Sequence, residues 1–266
     1  QYGLSPLIGN VGVTTLHDVS FYIGPEWFRP KDRLLLQKSV PGTARQAAAI
    51  VTVSESSKSE IEHYLPAAKG KTFVTPLACP PWIHPVPDAE RVVKQLFDLE
   101  PGYMLTVGAR WPRKNMNLAV EATKGLDRHL VITGKAGWGD APMHVGVRSV
   151  GYVDNLTLSS LYSAAGLYLA PSRHEGFGLP ILEAFTCGCP VLCSSGGAFP
   201  EVAGDAAQVM PDWEVASWSE AIRKLLSDSS KLENLRQRGL QRAKAFSWAE
   251  TARRTAEVYS RVIHER

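Results

Sequence analysis

Apolar and polar positions along this chain form short apolar runs bounded by turn residues, which read as strands, and longer stretches with apolar positions three and four apart, which read as helices. At the amino end, VGVTTLHDVSF (11–21) is β-rich and ends in polar His17-Asp18, RLLLQKSVPGTARQAAA (33–49) is helix-like but broken by Pro41-Gly42, and AIVTVSES (49–56) is a short buried strand. SESSKSEIEHYL (54–65) opens on a cluster of N-cap residues and predicts a helix, and FVTPLACPP (73–81) returns as a strand. The proline-rich CPPWIHPVPD (79–88) is the best linker in the chain.

A second alternation follows. Strands are predicted at 103–109, 129–135, 147–153, 166–172, 189–195 and 206–211, with helices at 117–126, 157–165, 179–187, 217–228 and 248–263. Short apolar strands alternating with helices predict an α/β fold with parallel sheets covered on both faces. The linker divides the chain into residues 1–88 and a larger region 89–247, followed by a terminal helical segment 248–266.

Composition narrows the class without naming it. The 266 residues are 44% hydrophobic and 21% charged, and Lys+Arg 29 against Asp+Glu 26 gives +3, too balanced for a nucleic-acid partner. No run approaches the roughly 18 apolar residues of a membrane span, and the amino end lacks a basic-then-apolar signal pattern. A cytoplasmic protein is expected, with room for peripheral contact at the inner face of a membrane. Cys187, Cys189 and Cys193 lack the second Cys or His pair of a zinc pattern, so reduced core cysteines and no metal site are expected.

Ligands of open parallel sheets sit outside the carboxyl ends of the strands, so the loops that follow strands hold the candidate chemistry. Four are loaded: RWPRKN after 103–109, AGWGD after 129–135, RHEGFG after 166–172 and GGAFPE after 189–195. Arg113 and Lys114, with Arg110 nearby, put cations at that edge, while Gly176 and Gly178 free backbone N–H groups at a helix start. Cations and helix N–H groups together suit a phosphate or diphosphate. There is no Walker pattern and no G-x-G-x-x-G after the first strand of this region, which disfavours a kinase or a dinucleotide enzyme. Glu175 and Glu183 flank the glycine turn, eight residues apart. Glu183, within about the first turn after Leu179, is placed to accept from a ribose diol, and Glu175 from hydroxyls on whatever the phosphate carries. Two acids near one site also fit a glycoside hydrolase, but their spacing across a turn aims them at different parts of a ligand.

EGFGLPILEA, preceded by LYLAPS and followed by GCPVLCSSGGAFPEVAGDAA, resembles the E-x7-E signature of family 4 retaining glycosyltransferases of GT-B fold. VGARWPRKN resembles their diphosphate loop, VGYVDNLTLSSLYSAA their following segment, LHDVSF their early His-Asp strand and FSWAETARRTAEVY their final helix. Within the family the likeness is greatest to bacterial mannosyltransferases of polysaccharide assembly. The resemblance implies two Rossmann-like domains: 1–88 on the acceptor side, 89–247 binding the donor, and 248–266 crossing back to the first. It implies a hexose, best mannose, moved from GDP-mannose or a UDP-hexose to a saccharide or lipid-linked acceptor, with no cofactor and no metal. Arg113 and Lys114 would hold the diphosphate, with Arg110 and Lys135 as further donor contacts. Glu175 would bind sugar hydroxyls, the backbone of Gly176, Phe177, Gly178 and Leu179 the sugar and phosphate, and Glu183 the ribose. The main chain of Gly151, Tyr152 and Val153 would meet the base, and His17, with Asp18 beside it, would approach the transferred sugar.

One departure from the family stands out. Only about 80 residues precede the linker, roughly half of a doubly wound domain. The first domain is therefore expected to be truncated or incomplete: a fragment, a proteolysed chain, or one with a partner polypeptide supplying the missing strands. That expectation keeps a nucleotide-sugar-binding subunit as an alternative, beside an epimerase or hydrolase of the same fold.

Overall fold

The structure, a computed structural model, describes residues 12–138 and 144–264. The first elements are β1 (Val13–Thr15), α1 (Ser20–Ile23), α2 (Pro30–Gln46), β2 (Ala49–Thr52), α3 (Glu55–Tyr64) and β3 (Thr72–Val74). Next come α4 (Ala89–Phe97), β4 (Met104–Val107), α5 (Met116–Ala122), β5 (Leu130–Thr133), β6 (Val147–Gly151) and α6 (Asn155–Ala164). The remainder is β7 (Leu167–Ala170), α7 (Leu179–Thr186), β8 (Val191–Ser194), α8 (Phe199–Ala203), β9 (Gln208–Met210), α9 (Val215–Leu226), α10 (Ser229–Ala243) and α11 (Trp248–His264). No helix among the described residues is long and apolar enough to cross a membrane.

The chain forms two compact units. The first takes the residues up to Ala78, then His174–Phe177 and the chain from Phe246 onward; the second takes Cys79–Arg173 and Gly178–Ala245. In the first unit β1, β2 and β3 make a parallel sheet in that order. The pleat sends alternate residues to opposite faces. Ile50 accordingly joins Leu16, Val40, Ala44 and Ile61 in one core, while Ala49 and Val51 face Val258 of α11 in another.

The second unit holds a six-stranded parallel sheet in the order β6-β5-β4-β7-β8-β9. Met104, Leu130 and Leu167, each the first residue of its strand, and Leu192, the second of β8, share a core with Leu118 and Val120 of α5 and Trp218, Ile222 and Leu225 of α9. Trp218 is fully buried, and its indole N–H donates to the Asp212 carbonyl at 2.9 Å. Asp154 caps α6, its carboxylate accepting from both the backbone N–H and the hydroxyl of Thr157 at 2.9 Å.

Several boundaries depart from the sequence reading. The strand expected over 11–21 is only Val13–Thr15, because the Asp18 carboxylate accepts from the Ser20 N–H at 2.9 Å and starts α1; Val11 lies outside the described residues. Helix α2 runs through Pro41 instead of breaking there, since Val40, Thr43 and Ala44 are buried in the core and their packing outweighs one missing N–H. The strand expected over 73–81 ends at Val74. Among the described residues, four helices were not picked out from the pattern: the short α1 and α8, and the longer α4 and α10, which bury Ala89 and Val93, and Leu235 and Gly239, respectively. Residues of the proline-rich segment are tied to α6, the Val86 N–H donating to Ser163 Oγ at 3.1 Å.

The exits of β4 and β5 pass each other with no space between them. A Cβ at Gly134 would lie 2.1 Å from the Gly108 carbonyl oxygen, and Gly134 has φ +139°. Gly134→Ala is therefore expected to destabilise the fold by at least about 2 kcal/mol, read as a lower thermal midpoint; an unchanged midpoint would show that the close approach relaxes freely.

Candidate functional site

The carboxyl edge of the second unit's sheet gathers the loops that the sequence singled out. The Arg173 N–H donates to the Arg113 carbonyl at 2.8 Å, and the Arg110 N–H to the Lys135 carbonyl at 3.3 Å. A Cβ at Gly137 would fall 2.1 Å from the Arg110 carbonyl oxygen, and one at Gly196 2.5 Å from that of Arg173. The loops after β4, β5, β7 and β8 thus support one another by backbone contact. Gly139 and Asp140 of the loop after β5 lie outside the described residues.

Within this edge Lys114 ends a 3₁₀ turn, Pro112–Lys114, and its side chain lies over Gly108, where a Cβ would sit 3.3 Å from Lys114 Cε. Glu183, on α7, accepts from the Tyr162 hydroxyl at 3.0 Å. Burial pushes the Glu183 carboxyl above its ordinary value, while the Tyr162 hydrogen bond and the nearby Lys114 charge oppose that shift. Burial above all holds the fully enclosed Tyr162 hydroxyl in its protonated form, so it is the donor. A carboxylate, a cation and a phenol thus meet at one place.

The start of α7 shapes the site in two respects. Gly178 is its N-cap, with φ +107°, and Glu183 is the fifth residue of the helix, about one turn in, as the sequence predicts. Its partners are therefore side chains, not the unbonded N–H groups of the helix start. Pro180 has no N–H, and the Ile181 N–H bonds the Gly178 carbonyl at 2.9 Å, which reduces the donors available to an anion.

Beside this, a cavity of about 450 Å³ opens over β4 and β5, lined in part by Gly108, Trp111, Gly134, Lys135, Tyr152 and Val153. The Lys135 ammonium lies 5.2 Å from the Tyr152 ring centroid, within cation–π range. The second unit thereby brings together Arg110, Arg113, Lys114, Lys135, Gly151, Tyr152, Val153, Gly178, Leu179 and Glu183.

The other predicted residues belong to the first unit. There the main chain at Gly176 passes against the segment of His17 and Asp18: a Cβ on Gly176 would be 2.7 Å from the His17 carbonyl oxygen and 3.0 Å from Asp18 Cβ. His17 is exposed and Glu175 buried. The Phe177 ring packs edge-on to Phe246 with centroids 5.6 Å apart, so it serves packing. His174 is buried, with Nε2 3.0 Å from both Glu60 carboxylate oxygens.

The sequence reading did not single out Tyr162, Trp111, Glu60 or His174. Trp111 was within reach, since it lies inside RWPRKN. The cysteines are free, and Cys187, Cys189 and Cys193 are buried; burial raises the Cys187 and Cys193 thiols to about 12, which leaves them protonated.

Comparison with known proteins gives the site its context. The family model of glycosyl transferases group 1 matches residues 88–242. Over 265 residues the chain is 37% identical to O-antigen chain mannosyltransferase B of Escherichia coli, covering 93% of this chain and 69% of that protein. It is 32% identical over 195 residues to D-inositol 3-phosphate glycosyltransferase of Kineococcus radiotolerans, covering 61% of this chain and 45% of that one. Among solved structures, sucrose-phosphate synthase of Thermosynechococcus elongatus superposes with a TM-score of 0.80 at 21% identity, over 96% of this chain and 68% of that one. Anabaena Alr3699/HepE in complex with UDP and glucose gives 0.77 at 18% identity, over 93% and 71%. The two parallel α/β sheets are thus those of a GT-B fold, and the chain belongs to the group 1 family of glycosyltransferases.

Proposed function

We propose that the chain moves a hexose, best mannose, with retention of configuration from a nucleoside-diphosphate sugar to a saccharide or lipid-linked acceptor in polysaccharide assembly. The observation that carries the proposal is the junction of Lys114, Glu183 and Tyr162 at the carboxyl edge of the six-stranded sheet, beside an aromatic-lined cavity. The likeness to a named O-antigen mannosyltransferase supports mannose, and a neighbour solved with UDP and glucose supports a nucleotide-sugar donor.

In this reading Lys114 and Arg113, with Arg110 and Lys135 as further contacts, hold the diphosphate. The main chain from Gly176 to Leu179 meets the phosphate and sugar, and Glu183 accepts from the ribose diol. The cavity bounded by Tyr152 and Val153 receives the base, GDP-mannose being the first donor to test and UDP-hexoses the second. Glu175 accepts from sugar hydroxyls, and His17 approaches the transferred sugar. Bond breaking moves negative charge onto the departing diphosphate, so preorganised cations there stabilise the transition state more than the ground state. In this role the cations do the work of a divalent metal, and no metal is proposed.

Calorimetry with GDP-mannose, UDP-glucose and the free nucleoside diphosphates tests the reading. Lys114→Ala is expected to weaken nucleoside-diphosphate binding at least about tenfold, from the loss of charge-assisted hydrogen bonds of about 1.5–3 kcal/mol. Binding of no nucleotide sugar, or an unchanged affinity in Lys114→Ala, would overturn it.

A pH series tests the role of Glu183. A carboxyl accepts from hydroxyls most strongly when charged, and burial raises its pKa, so its full contribution to binding is present at high pH and weakens on acidification sooner than for an exposed carboxylate. Removing the hydrogen bond that favours the charged form, in Tyr162→Phe, is expected to move that loss to still higher pH. Glu183→Gln measured in parallel removes it and leaves only the titration of the nucleotide. Superimposable curves for the wild type and Glu183→Gln would refute the ribose role.

A further inference from the structure

The short stretch that carries Glu175 is fastened by one face of α3. Ser54, the N-cap of that helix, accepts from the Ser57 N–H at 3.0 Å and at the same time donates its own hydroxyl proton to the Gly176 carbonyl at 2.6 Å. A hydroxyl has one proton and two lone pairs, so both roles are filled together. The Ser57 hydroxyl donates to the same carbonyl at 2.9 Å, occupying its second lone pair. Both serines are buried, at 0% and 1% exposure, where an unmatched acceptor would be costly.

Three residues further along α3, Glu60 receives the His174 Nε2–H, 3.0 Å from each carboxylate oxygen. An ionised carboxylate only accepts, so Nε2 carries the proton. Positions 54, 57 and 60 are three apart, which puts them on one side of the helix. They grip residues 174 and 176, the two neighbours of Glu175 in the chain. On its other side Gly176 leaves no room for a Cβ against the His17 carbonyl, so the backbone there is fixed from two directions.

We infer that Ser54, Ser57 and Glu60 are positioning residues that act through Glu175. Hydrogen bonds on both sides of that residue fix the backbone from which its carboxylate extends, and a displacement of about 1 Å in a binding group is enough to lose most of its effect. The inference rests on the proposal that Glu175 binds hydroxyls of the donor sugar. Helix packing alone would ask for apolar contacts; here the same helix face supplies two hydroxyls and a carboxylate to polar atoms of residues 174 and 176.

The test is a double-mutant cycle read by calorimetry with whichever of GDP-mannose and UDP-glucose the chain binds more tightly, against GDP and UDP. Ser57→Ala and Glu60→Ala are each expected to weaken nucleotide-sugar binding about five- to tenfold while changing nucleoside-diphosphate binding less than twofold. Glu60→Gln, which keeps an acceptor for His174, is expected to retain most of the affinity. In a Glu175→Gln background neither alanine variant is expected to weaken binding further, because groups acting through one residue do not add. Should Ser57→Ala fail to fold, Glu60→Ala and Glu60→Gln carry the same cycle from a residue nearer the surface. Equal losses with and without Glu175, or folded alanine variants with wild-type affinity for the sugar nucleotide, would overturn the inference. If Glu175→Gln itself leaves nucleotide-sugar binding unchanged, the sugar role of Glu175 fails first, and the inference fails with it.

Discussion

The reversal of strand order at β4 is the constraint on which the second unit's chemistry depends. From β4 the sheet runs through β5 and β6 on one side and through β7, β8 and β9 on the other, with all strands parallel. Connections on the two sides leave in opposite directions, so a crevice opens at the carboxyl end of β4, where backbone N–H and side-chain groups converge without blocking one another. Lys114 follows β4, Arg173 follows β7, and the bond from the Arg173 N–H to the Arg113 carbonyl fixes one loop against the other. The close approach of Gly108 and Gly134 does the same between β4 and β5.

Electrostatics then sets what the crevice can hold. A carboxylate as enclosed as that of Glu183 is expensive unless its lone pairs and charge are met. Tyr162 supplies a proton donor and Lys114 a countercharge, and still burial prevails enough to leave the carboxyl above its ordinary pKa. A group in that condition favours additional hydrogen-bond donors, which is what a diol offers. The same lysine faces two demands, balancing Glu183 and, on the proposed reading, meeting a diphosphate.

Much of the second unit was legible because its strands are short, apolar and separated by glycines, and because the charged loops follow the strands. The family was legible in EGFGLPILEA and VGARWPRKN. What was not legible depends on contacts remote in sequence. The buried face of α2 carries Pro41 through a helix where the local pattern predicts a break. Helix α10 has few apolar positions and buries only Leu235 and Gly239, whereas α4 carries apolar residues at 89, 92, 93, 96 and 97, a helical period that was legible beside the proline-rich segment and was passed over. Tyr162 reads as an ordinary core aromatic until the fold brings it to a glutamate 21 residues away. Ser54 and Ser57 read as part of an N-cap cluster, and Ser54 is the N-cap of α3; only the fold shows that both hydroxyls also bind a carbonyl 122 and 119 residues further on.

The central claim is that the turn after β4 and the start of α7 together receive a nucleotide sugar. Hydrogen–deuterium exchange of the chain with and without GDP-mannose, and with and without UDP-glucose, tests it most directly. The account predicts slowed exchange in the segments 108–116 and 174–186 with at least one of the two. Slowed exchange confined to other segments, or none with either donor under conditions where both are in large excess, would contradict it.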